Sequence, residues 1–158
     1  MKHAINKGFS FGLTSGVITT LGLMVGLHSG THLANVVIAG ILVIAIADAL
    51  SDSLGMHISE EAEGQHTHQE IWMATLATFL SKLAVASLFI IPVLVLPLNT
   101  AIIVSILWGL LLIVSFSWLM AKRQNKNALH ITLEHLIIAI LVITATHYIG
   151  DWIASFSR

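Results

Sequence analysis

Asp48 and Asp52 stand one helical turn apart inside the apolar run "IAIADALSDSLGM", and Met56 follows one turn later. At about 100° per residue the three side chains share one face of a helix. Two hard oxygen ligands and one soft thioether on one face make a surface for a divalent cation. That mixture suits Fe²⁺ or Mn²⁺ better than Mg²⁺, for which a thioether is a poor ligand. An ionisable side chain deep in a bilayer costs about 2.5–3.5 kcal/mol on insertion scales, so it faces a protein interior or a path. Lys82 is the third such residue. It has two readings: a lock that pairs with Asp48 and joins two helices, or a participant that competes with a cation and moves protons.

Around this pair lie further groups of the same chemical type. Glu60, Glu61, Glu63 and Glu70 fall with His57, His66 and His68 in a stretch that contains no lysine or arginine. The stretch reads as a loop, 56–70, that gathers divalent cations, with Glu60 and Glu63 as ligands beside Met56. A plain solvated connector is the alternative. Upstream, Gly8, Gly12, Ser15, Thr19, Gly22 and Gly26 alternate at intervals of four and three and fall on one helix face. Small residues at that spacing let two backbones approach closely, either in ordinary packing or between two copies of the chain. Ser15 and Thr19 place hydroxyls on the seam and Met24 borders it, which makes them candidates for a transport path together with Lys82. His28 and His32, and His147 with Asp151, are candidates for an exit site at the other end, although histidines near a membrane interface are common without one. His130 and Glu134 have the same spacing and the same two readings.

The elements that position these residues follow from composition. Of 158 residues, 56% are hydrophobic and 9% charged, and the mean hydropathy is +0.92. Soluble domains carry about 25% charged residues, so the expected fold is an all-α integral membrane protein, one domain over 1–158. A spanning helix needs about 20 apolar residues, and five segments qualify: about 9–27, 33–55, 71–95, 100–120 and 131–155. The opening "MKHAINKGFSFGL" starts as a signal peptide would, but the apolar run continues without a small-residue cleavage site and reads as the first span. Lys2, Lys7, Lys122, Arg123 and Lys126 fall on one side of the bilayer and Arg158 on the other, which predicts a cytoplasmic N-terminus and an outer C-terminus. The expected location is a prokaryotic cytoplasmic membrane.

A net charge of −1 argues against nucleic acid, and the lack of cysteine excludes disulfides and thiolate metal sites. No H-E-x-x-H zinc motif occurs, and the one G-x-S-x-G string, "GFSFG" at 8–12, lies at the start of the first apolar span rather than at a strand-to-helix turn. It is therefore no nucleophile elbow, and no enzyme is expected. No prosthetic group is expected either; the ion would be bound only in transit.

"GLTSGVITTLGLMVGL" followed by "AGILVIAIADALSDSLGMHISEEAE" resembles the first two helices of the vacuolar iron transporter family. There a D-G-L-V-T-x-x-x-L-x-x-G run precedes A-G-x-x-S-M-A-x-G-E-x-x-S, and "THYIG" resembles the family's last span. The resemblance covers about a third of the chain. It implies five spans, a homodimer packed through helix one with helices one and two lining a path, and export of Fe²⁺ or Mn²⁺ from the cytosol in exchange for protons. Three departures mark this chain. Ser15 stands where the family has an acidic residue. The family's Ser-Met-x-x-Gly-Glu reads Ser51-Asp52-Ser53-Leu54-Gly55-Met56, so carboxylate and thioether trade places. The large cytoplasmic domain of plant members is replaced by the short acidic stretch. The competing reading is a non-transporting dimeric scaffold whose acidic loop recruits a partner.

Overall fold

The computed structural model describes residues 1–156. These residues form six helices: α1 Lys2–Thr31, α2 Ala34–Glu63, α3 His68–Leu88, α4 Ile90–Val95, α5 Leu98–Arg123 and α6 Ala128–Phe156. There is no strand among the described residues. Five segments, with α3 and α4 counted as one, are long and apolar enough to cross a membrane. Their outward faces carry large apolar side chains, among them Leu42, Ile46, Leu50 and Leu54 on α2 and Leu107 and Leu111 on α5. An all-round apolar girdle belongs in lipid rather than water, so the architecture is that of an integral membrane protein.

The five expected spans are present, and their ends differ from the expectation in two places. Residues 56–63 are helical, not loop: α2 runs on to Glu63 and stops at Gly64, whose φ of 64° is left-handed. Glutamate and alanine are good helix formers, so polarity ended the span without ending the helix. The connector shrinks to residues 64–67. Thr67 then starts α3 with a capping box: its hydroxyl accepts from the Glu70 N–H at 3.3 Å, and the Glu70 carboxylate accepts from the Thr67 N–H at 3.2 Å. The third span is broken. Phe89 forms a turn between α3 and α4, with its N–H on the Ala86 carbonyl at 3.2 Å. Pro92 lacks the N–H that would bond to residue 88, which removes a rung there.

α1 is the hub and packs against α2, α3, α5 and α6. Its glycines decide how closely the neighbours come. A methyl group at Gly8 would run into the Ala74 carbonyl, and one at Gly12 into Ser81 Oγ and the Thr78 carbonyl at 2.5 Å. Farther along, Gly22 and Gly26 meet Val142 and Thr146 of α6, and Gly30 meets Gly150. The small-residue stripe is therefore taken up within one chain, by α3 over its first half and by α6 over its second. The expectation that it joins two copies gives way to this packing, because α1 lies at the centre of the bundle. Val17, Leu21, Met24, Val37, Ile41, Phe89 and Ile113 fill the core around it.

Candidate functional site

The inward face of α2 carries Val37, Ile41, Ala45, Ala49, Ser53, Met56 and Glu60, and Asp48 and Asp52 border that face half-buried. Helical periodicity thus turns both aspartates toward α3, where Lys82 is 1% exposed. Lys82 Nζ lies 2.7 Å from Asp48 Oδ2, is paired with Asp52 Oδ2, and donates to Ser15 Oγ at 2.9 Å. The Ser15 hydroxyl in turn donates to Asp52 Oδ2 at 2.7 Å. Of the three oxygens around the ammonium, those of Asp52 and Ser15 accept hydrogen bonds, while buried Asp48 Oδ2 is held by charge alone and has no hydrogen-bond partner. Gly16 makes room for the lysine: a Cβ there would sit 3.2 Å from Lys82 Cγ. The cluster holds two acidic side chains and one basic one, a formal charge of minus one.

The aspartates keep some access to the outside, with side chains 24% and 23% exposed. Asp48 and Thr19 close one end of a groove of about 730 Å³ between α1 and α2, which is otherwise lined by apolar residues such as Leu23, Leu27 and Val43. Thr19 donates to the Ser15 carbonyl at 3.0 Å and so supports the turn that presents Ser15. Of the expected path residues, Ser15, Thr19 and Lys82 come together around the aspartates. Met24 does not: it is fully buried in the apolar core. Met56 is packed in a small apolar cluster with Ala4 and Ala74, so its thioether has an alkane setting in place of the carboxylate company expected for it.

A second group forms where α2 ends. Glu60, Glu63 and His66 bring one ligand atom each within 4.8 Å of one another, a spacing that could hold a metal ion. His66 Nε2 lies 3.5 Å from both carboxylates. Glu60 is completely buried, and Lys7 of α1 pairs with it and with Glu63, the latter at 2.9 Å. The acidic stretch therefore has a fixed counter-charge after all, supplied from more than fifty residues upstream. The other two histidines of the stretch are engaged elsewhere: His57 Nδ1 with Thr75 Oγ1 at 3.0 Å, and His68 Nε2 as acceptor from the Trp72 indole at 3.0 Å. Glu70 is taken by its capping box and by the N-terminal amine at 2.6 Å, and Glu61 is exposed. His130 and Glu134 are exposed near the start of α6. Lys7 is the residue that sequence reasoning missed. Its only signal was its place in the first turns of α1, next to Gly8 in the sequence.

No protein-family model matches the chain, and no curated protein or solved structure matches it either. The site's own geometry has to carry the functional reading. Down one side of α2, Glu63, Glu60, Asp52 and Asp48 form two carboxylate pairs about 12 Å apart by helical rise, and each pair already holds one lysine ammonium.

Proposed function

We propose that this protein carries a divalent transition metal, Fe²⁺ or Mn²⁺, across the membrane and out of the cytosol, with protons moving the other way. The observation that carries the reading is the buried Asp48–Lys82–Asp52 cluster. Two carboxyl groups within an apolar bundle call for a cation to offset their formal charge, and the Lys82 ammonium is the resident one. Glu60, Glu63 and His66 gather the ion at the end of α2. Asp52 and Asp48 receive it when Lys82 withdraws, and oxygen ligands suit these ions. On the return step protons bound by the carboxylates cross in place of the metal, which couples the two fluxes; a return with Lys82 alone as counter-charge would carry no proton and leave transport uncoupled. The likeness of "GLTSGVITTLGLMVGL" and "ADALSDSLGM" to vacuolar iron transporters supports the same reading, as does the basic bias that places the end of α2 in the cytosol. A second copy seated on the α1–α2 groove would enclose Asp48 and Thr19 between two chains, and we assign the homodimer to that face.

The test is uptake of Fe²⁺ and Mn²⁺ into proteoliposomes that contain a pH dye, with the wild type compared with Asp52→Asn. Metal flux with proton counter-flow in the wild type, both lost in the variant, is the expected result. A folded wild type that moves neither ion ends the transport reading.

One observation favours a second reading, the scaffold. Lys82 is 1% exposed and its ammonium sits among oxygens of Asp48, Asp52 and Ser15, as in a fixed lock between helices. A scaffold would leave the metal tolerance of cells unchanged on Asp52→Asn, whereas a transporter would not.

A further inference from the structure

At the end of the bundle where α1 stops and α6 finishes, a cavity of about 610 Å³ is bordered by His28, Ser29, His32, Asn99, His147 and Asp151. We propose that this cavity is a second metal site, separate from the α2 carboxylates, and that it takes an imidazole-preferring divalent transition ion such as Zn²⁺ or Co²⁺. His147 and Asp151 would be its ligands, and His32, which borders the same cavity without closing on both of them, would have to turn toward the ion to become a third.

The geometry of the His147–Asp151 pair points to an ion. His147 Nε2 and Asp151 Oδ2, one turn apart on α6, are separated by 3.5 Å. That is long for an N–H···O hydrogen bond, which centres at about 2.9–3.0 Å. It is close to the ~3.3 Å between two ligands of a tetrahedral ion with bonds of 2.0–2.1 Å. The other nitrogen of that ring, Nδ1, is hydrogen-bonded to Ser29 Oγ. A partner on the far nitrogen is what fixes the orientation and tautomer of a metal-binding imidazole. His32 is arranged alike: its Nδ1 is 2.6 Å from the His28 carbonyl oxygen. A carbonyl only accepts, so Nδ1 carries the hydrogen and the neutral ring keeps its lone pair on Nε2. His28 stacks 5.1 Å from His32, and its buried Nδ1 has no hydrogen-bond partner. A buried polar atom left alone is uncommon and calls for a ligand or a water.

The local field agrees. Asp151 is the one formally charged residue bordering the cavity, and no lysine or arginine is among those described. The C-terminal end of α1, a pole of negative potential, lies at His28 and His32. The start of α5 at Asn99 brings the opposite sign, and the Asp151 carboxylate offsets it. Imidazole ligands select transition ions over Mg²⁺ or Ca²⁺.

Binding at this site is independent of whether the protein transports anything, so the test is made at equilibrium. Untagged protein in detergent carries Glu60→Gln, Glu63→Gln and His66→Ala, which removes the other histidine–carboxylate group, and is titrated with Co²⁺. The expected result is one Co²⁺ per chain, with the intense visible absorption of a four- or five-coordinate ion. His147→Gln and Asp151→Asn should each weaken it at least about tenfold, and Ser29→Ala by about 10–100-fold through loss of ring orientation. Both ligand side chains are about half exposed, at 50% and 52%, so these changes leave the fold intact, which circular dichroism and elution volume verify. The proposal is overturned if the background protein binds no Co²⁺ at millimolar metal. It is overturned equally if binding is unchanged by His147→Gln and Asp151→Asn. Proteoliposomes that prove silent for Fe²⁺ and Mn²⁺ would leave this result standing.

Discussion

The interior cluster and the cluster at the end of α2 have nearly the same ingredients. Each has two acidic residues of α2, at 48 and 52 or at 60 and 63, and each borrows one lysine from another helix. They differ in what reaches the nitrogen. Lys82 is 1% exposed, and a serine hydroxyl completes its shell. Lys7 is 37% exposed and shares its carboxylates with an imidazole instead. Burial therefore guards one lysine and leaves the other within reach of water. On the proposed transport reading, a cation would meet the exchangeable pair first and the guarded pair second, the order a gated path requires.

The sharpest way to break the comparison is Lys82→Met. Removing one partner from a buried ion pair leaves charge uncompensated and costs about 3–5 kcal/mol, read as a fall in thermal midpoint in detergent. Adding Asp52→Asn to that variant should restore part of the loss, because one stranded carboxylate disappears. Next is Gly12→Ala, which pushes α1 away from α3 and so moves Ser15 off Lys82; overpacking of this kind costs about 1–3 kcal/mol. Lys7→Ala should act in the opposite sense on function. With that ammonium gone, Mn²⁺ should bind Glu60, Glu63 and His66 about tenfold more tightly by equilibrium titration. A Lys7→Ala protein with unchanged Mn²⁺ affinity would show that the two lysines are equivalent after all. The smallest effect belongs to Met56→Leu. With Ala4 and Ala74 as its surroundings, a volume-conserving swap costs less than about 1.5 kcal/mol, and metal flux should match the wild type.

Much of this was legible in the residues. Hydropathy alone located the five spans, and the 3.6-residue period put Asp48 and Asp52 on one inward face with Lys82 as a partner. Three things were not legible. The length of α2 was hidden because a polar stretch looks like a loop, although Gly64 was the true stop. The pairing of Lys7 with Glu60 and Glu63 joins residues more than fifty positions apart, and no local pattern encodes such a meeting. The glycine stripe announced close packing but not its partner, since α3, α6 and a second copy present equally small surfaces. Met56 shows the limit of face arguments: sharing a face with two carboxylates does not mean sharing their chemistry when alanines from α1 and α3 fill the space between.

The glycine stripe on α1 also has a consequence for biosynthesis. Gly22, Gly26 and Gly30 are made early, yet the residues that cover them, Val142, Thr146 and Gly150, belong to the last helix. Throughout insertion of the intervening spans, this bare backbone must be shielded by lipid or by the insertion machinery. The packing of this strip is complete only when α6 arrives, so a bare strip of glycine distinguishes an unfinished molecule from a finished one.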